Sequence, residues 1–147
     1  MLRIDGKRLI FHYDAEELWI EPWGKNSLRI RATRNSHMPE EDWALLPHRE
    51  GVSEEWEIRK TETGAEIMGE KLRLTISELG KITIYNQRGK ILLEEYWRNR
   101  RDVSDPKCSA IEVEGREFRP NIGGDYHLTM RLESKNPQEK LYGMGQY

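Results

Sequence analysis

Residues able to do chemistry are scattered along this chain instead of being grouped. Histidines stand at His12, His37, His48 and His127, in four separate segments and never four apart, the spacing that puts two imidazoles on one helix face. A metal site would need the fold to gather them, and His127 holds an outward position of an alternating stretch, where a surface histidine is the ordinary expectation. Neither metal nor cofactor is expected. Paired carboxylates can hydrolyse a glycosidic bond, but with 26 acids accidental pairs are certain and none stands out. No G-x-S-x-G marks an activated serine. Cys108, the single cysteine, follows "SDPK" with no helix N-terminus to lower its pKa, and reads as an inert thiol. One cysteine excludes an intrachain disulfide and fits a reducing compartment.

Aromatic residues offer binding chemistry instead. Of the tryptophans at 19, 23, 43, 56 and 97, Trp19 and Trp23 alternate with Glu21 on the face opposite Leu18 and Ile20. A flat ring there packs on sugar C–H groups, so the pair is a candidate sugar platform; sheet packing is the competing reading. In "WRNRRD", Trp97 beside Arg98, Arg100 and Arg101 has the make-up to stack a base and hold phosphates. Glu94, Glu95, Asp102 and Asp105 surround it, however, which favours a solvated connection. The closing "EKLYGMGQY", Glu139 to Tyr147, lacks the third glycine of a dinucleotide-binding fingerprint. Its glycines read as conformational.

The elements that must position these groups are strands. In "SLRIRAT", Leu28, Ile30 and Ala32 alternate with polar residues, and "KLRLTIS" does the same with Leu72, Leu74 and Ile76. "YHLTMRLE" places Tyr126, Leu128, Met130 and Leu132 on one face, expected to point inward. Gly-bearing turns at "IDGK", "TETGAE", "ELGK", "NQRGK" and "EGRE" punctuate the runs at hairpin spacing. About ten strands are expected, with little helix beyond a turn near Pro39 to Leu46, a long loop from Asn35 to Ser53 and a second break from Arg98 to Lys107. The 147 residues fit one domain, an all-β antiparallel sandwich. A charged share of 34% against 36% hydrophobic demands a thin core under strongly polar outer faces. The net charge of −2, with both signs interleaved, gives no reason to expect nucleic acid or an anionic membrane as partner. No apolar run has signal-peptide or bilayer length, so a soluble cytoplasmic protein is expected.

"EKLYGMGQY", preceded by "YHLTMRLESKNPQ", resembles the Tyr-Gly-Leu-Gly-Glu hallmark that follows a strand in the N-terminal domain of glycoside hydrolase family 31. "LWIEPWGKNSLRIRAT" and "LRLTISELGKITIYNQRGKILLEE" look like the same domain. The resemblance implies a galactose mutarotase-like β-sandwich ahead of a (β/α)8 barrel, in retaining α-glucosidases and α-xylosidases whose two catalytic aspartates lie in the barrel. The nucleophile's motif does not occur here, so the chain looks like the non-catalytic front piece of such an enzyme, truncated at its C-terminal side. Tyr142, Gly143, Met144, Gly145, Gln146 and Tyr147 become candidate pocket-rim or barrel contacts. Met144 and Gln146 depart from the common form, and Gln146 replaces any ion pair by a neutral hydrogen bond. The implied partners are the barrel of the same parent chain and, through it, a carbohydrate. An independent carbohydrate-binding module is the alternative. The isolated chain, with strand edges open, is expected to form a homodimer through Tyr126 to Tyr147.

Overall fold

The computed structural model describes residues 1–41, 55–100, 103–104 and 106–140. The chain opens with an antiparallel meander of β1 (Leu2–Asp5), β2 (Arg8–Tyr13), β3 (Glu16–Gly24) and β4 (Ser27–Thr33), paired in that order. A second meander follows: β5 (Glu57–Thr61), β6 (Gly64–Met68), β7 (Leu72–Ser77), β8 (Ile82–Asn86) and β9 (Ile91–Glu95). Next, β10 (Arg116–Pro120) and β11 (Tyr126–Met130) form a two-stranded ribbon, and the short β12 (Leu132–Glu133) adds to β9 as the outer strand of a six-stranded sheet. Twelve strands thus stand among the described residues, against about ten expected, because the last alternating run is split. All the strand pairings are antiparallel. The turn expected near Pro39 to Leu46 lies largely outside the described residues.

Alternation decides which face is buried. Leu9, Phe11, Leu18 and Ile20 from the first sheet meet Ala65, Ile67, Leu74, Ile76 and Ile82 from the second in one core, with Leu28, Ile30, Ala32 and Leu72 packed against it. Both early alternating runs therefore face as their sequences require. Trp56, just before β5, closes one end of this core and donates from Nε1 to the Gly24 carbonyl 3.2 Å away in the other sheet. A Cβ on Gly69 would sit 2.9 Å from the Trp56 ring, so this glycine is kept for the close approach of backbone to indole.

The third alternating run behaves differently. Of Tyr126, Leu128, Met130 and Leu132, Met130 alone packs against the core; Leu128 is 36% exposed, and Tyr126 and Leu132 are more open still. The physical reason is pairing: β11 hydrogen-bonds only to β10, and a two-stranded ribbon has no opposing sheet to cover its length. Gly115, in the "EGRE" segment expected to be a hairpin turn, is also different. Its φ is not positive; instead a Cβ there would overlap the Trp97 indole nitrogen, so the residue is small for packing and not for turn geometry.

Truncation measures this difference directly. Ile67→Ala, at a fully buried position, is expected to cost about 2–5 kcal/mol, whereas Leu128→Ala should cost less than about 1 kcal/mol. Urea denaturation of both variants reads the contrast; equal losses would mean that the ribbon belongs to the core.

Candidate functional site

The alternation that buries Leu18 and Ile20 turns Trp19, Glu21 and Trp23 onto the outer face of the first sheet. Register then puts arginines around them, since Trp19 pairs with Arg31 and Glu21 with Arg29 across β4. Glu21 accepts from Arg8 Nε at 3.0 Å and from an Arg31 terminal nitrogen at 2.7 Å, with Arg29 3.9 Å away. The Arg8 guanidinium lies 3.8 Å from the Trp19 ring centroid, Arg31 lies 5.1 Å from the same ring, and Arg29 is 4.5 Å from Trp23. Trp19 Nε1 donates to Glu17 at 2.6 Å. Both candidate platform rings are therefore half-buried in a cation–π lattice. The Arg31 and Arg29 side chains also donate to the backbone carbonyls of Pro39 and Glu41, which draws the segment after β4 towards this face.

The same motif of a central acid beneath cations recurs on the second sheet. Glu66 is buried between Arg59 at 2.5 Å and Arg73 at 3.5 Å. Glu94, 5% exposed, collects Lys107 at 2.5 Å, Lys81 at 3.0 Å and Lys135 at 3.4 Å. Burial pushes the Glu94 carboxyl upward, but hydrogen bonds from Lys107 and Lys81 and their charges outweigh it and hold the group at about 2. Glu133, bonded by Arg98 and Lys107, is likewise held below the usual carboxylate range, chiefly by Arg98.

Among the described residues, one ion pair lies fully inside the fold. Glu95, fully buried, follows Leu93 in phase; Leu93 pairs with Ile84, which packs on the core, so the sequence aims a carboxylate at the interior. Arg116 meets it with one terminal nitrogen, donates to Glu16 of β3 from Nε at 2.5 Å, and donates to the Gly80 carbonyl at 3.1 Å. The second Glu95 oxygen accepts the Ile82 N–H at 2.8 Å. Burial raises the Glu95 pKa above the ordinary range, against the opposing pull of the Arg116 charge and the Ile82 amide. This clamp ties β3, β9, β10 and the β7–β8 turn together. Sequence reading passed over it, although an acid on an inward phase was its visible signal.

The other candidates are spread apart. His12, His37 and His127 are exposed on separate segments, and His48 lies outside the described residues. Among the described residues no three His, Cys, Asp or Glu side chains come together as a metal set. Cys108 is half-buried, its backbone bridged to Asn99. In the basic stretch, Arg98 stacks 3.7 Å from the Tyr96 ring and binds Glu133, and Arg100 lies 3.8 Å from Glu112. Those cations are met by protein acids. Tyr142, Gly143, Met144, Gly145, Gln146 and Tyr147 lie outside the described residues.

Two expectations follow from these charges. Arg116→Met leaves Glu95 buried and unpaired and should cost about 3–5 kcal/mol at neutral pH. A carboxyl whose folded pKa is raised contributes its full stability below its unfolded value, and that stability is lost as pH rises through the folded one. The Arg116→Met deficit should therefore shrink on acidification and largely vanish in Arg116→Met/Glu95→Gln; denaturation of both from pH 7 to pH 5 checks it. Glu94 has the opposite sign: its lowered pKa gives stability present above about pH 4.5 and lost as pH falls towards about 2. The gap between the parent chain and Glu94→Gln should close over that interval, and a pH-independent gap would exclude the charge as its origin.

Comparison with known proteins agrees with the strand pattern. No protein-family model matches the chain. It is 40% identical over 145 aligned residues, 93% of this chain and 27% of the relative, to a protein of Pseudescherichia vulneris described as an uncharacterized family 31 glucosidase, ORF2. Among solved structures it superposes, over its whole length, on 22% of a GH31 α-xylosidase from a soil metagenome crystallised with xylose, with a TM-score of 0.88 and 38% identity. The chain spans about a quarter of the length of these proteins. Identity at this level along a shared course of antiparallel strands makes the chain a homologue of family 31 glycoside hydrolases, matching one segment of them.

Proposed function

We propose that the chain is the non-catalytic N-terminal β-sandwich, galactose mutarotase-like, of a retaining α-glycosidase acting on α-linked glucosides or xylosides. The observation that carries this reading is the end-to-end superposition on a minor fraction of an α-xylosidase. In this reading the sandwich packs on a (β/α)8 barrel of the same parent chain. Tyr142 to Tyr147, outside the described residues, are in this reading the contacts with the pocket rim or the barrel, and glycine at Gly143 and Gly145 would permit a close backbone approach there. Arg116 then has a mechanical task. It locks the two sheets into one body that holds its barrel-facing surface in fixed shape, because a positioning domain that flexed would blur the site it borders.

Chemistry belongs elsewhere in this reading. A retaining mechanism needs two carboxyl groups about 5 Å apart around a bound sugar, whereas Glu21, Glu66, Glu94 and Glu95 are each buried under their own cations. The isolated chain should not hydrolyse aryl α-glucosides or α-xylosides. Joined to its downstream barrel it should turn over one of them, and Gly143→Val or Gly145→Val should lower kcat/KM about tenfold or more without unfolding the sandwich. Turnover by the isolated chain, abolished by a point change within it, would overturn the reading. Without a barrel, the half-exposed face carrying Tyr126 and Leu128 is proposed to pair with a second copy; a mass that stays at 17.4 kDa in light scattering at high concentration would exclude that.

A further inference from the structure

At the end of the two sheets closed by the Arg116 clamp lies an open cleft of about 250 Å³. Phe11, itself almost fully buried, and Trp97 are part of its wall, and Tyr13, 70% exposed, and Leu79, 77% exposed, stand at its mouth. The volume falls just under the range of about 300–1,000 Å³ usual for ligand sites, which suits one small ring better than an extended chain. The polar lining is balanced in sign: it includes Glu16, Glu112 and Glu114 alongside Arg34, Arg98 and Arg116, a formal sum of zero.

We propose that this cleft binds a single neutral sugar ring, of the pyranose class. A charged ligand would gain no net attraction from a lining whose charges cancel. A hydroxyl, by contrast, is both donor and acceptor, and can use guanidinium N–H groups and carboxylate oxygens side by side. Aromatic edges and faces at the wall and mouth match the C–H surface of a sugar ring. Pre-organisation is already present, since Arg116 and Glu16 are held against each other and Arg98 is held by Glu133, so neither arginine needs ordering on binding. Arg34, exposed at the lining and 5.0 Å from the Phe118 ring, is the cation most open to a guest. This goes beyond the positioning role above and stands on the cleft alone.

The test is ligand titration of the 147-residue chain with xylose and glucose, followed through the indole N–H resonances, with glucuronate and glucosamine as charged comparators. The Trp97 resonance, assigned by Trp97→Phe, should move with a millimolar Kd for the neutral sugars, while those of Trp19 and Trp23 stay in place. Tyr13→Ala and Arg34→Ala alter exposed side chains and should keep the parental melting temperature, yet each should weaken binding about tenfold. No response into the tens of millimolar would overturn the proposal, and so would a response as strong for either charged comparator. Movement of Trp19 or Trp23 in place of Trp97 would assign sugar binding to the outer face of the first sheet and equally overturn it. Because binding is read on this chain, the outcome is independent of whether a barrel follows it.

Discussion

Everything in this fold leans on one buried charge being answered. Glu95 points into the interior with no solvent contact, and a lone carboxylate there would be untenable. Arg116 answers it and, having further donors in its planar fork, also takes Glu16 from the first sheet and the Gly80 carbonyl from the β7–β8 turn. A lysine, with a point charge in place of the fork, could not span these three acceptors. The consequence is geometric: the start of the β10–β11 ribbon, the end of β9 in the six-stranded sheet and the start of β3 are fixed relative to one another by one side chain. Gly80 completes the arrangement, with its positive φ and with Phe11 so close that a Cβ would lie 2.6 Å from the ring.

The outer faces solve a related problem by repetition. A thin core leaves the outer faces of both sheets to polar residues, and here each carries a central acid flanked by cations, from adjacent strands around Glu21 and Glu66 and from connecting segments around Glu94. Glu21, Glu66 and Glu94 are all nearly inaccessible, although they sit on outward phases. The long arginine and lysine side chains cover them and pair with their carboxylates, which makes cover out of charged residues. Trp19 and Trp23 take part in this cover, sandwiched with guanidiniums, so their exposure is smaller than their outward phase suggests.

Function follows from what such a body can and cannot do. Its buried acids Glu21, Glu66, Glu94 and Glu95 are each paired to cations. Its ribbon and its cleft both leave apolar or mixed surface open, around Tyr126 and Leu128 in the one and Tyr13 and Leu79 in the other. Homology to one segment of much longer glycosidases fits that division of labour.

Alternation and glycine-bearing turns by themselves determined that this chain is antiparallel β, because a period of two admits only one way to bury Leu28, Ile30 and Ala32 or Leu72, Leu74 and Ile76. The same rule turned Trp19, Glu21 and Trp23 outward, and the closing motif with its preceding strand carried a resemblance to family 31. Tertiary structure decided the rest. Whether an apolar phase is buried depends on having a sheet opposite it, which β11 lacks, so Tyr126 and Leu128 stay half-open despite an alternation as clean as any other. Whether a glycine serves turn geometry or packing depends on what lies across from it, as Gly115 beneath Trp97 shows. The partnership of Glu95 with Arg116 and Glu16 joins residues 21 and 100 positions apart, and no local pattern encodes which cation will answer a buried acid. That choice is made only when the two sheets close on each other.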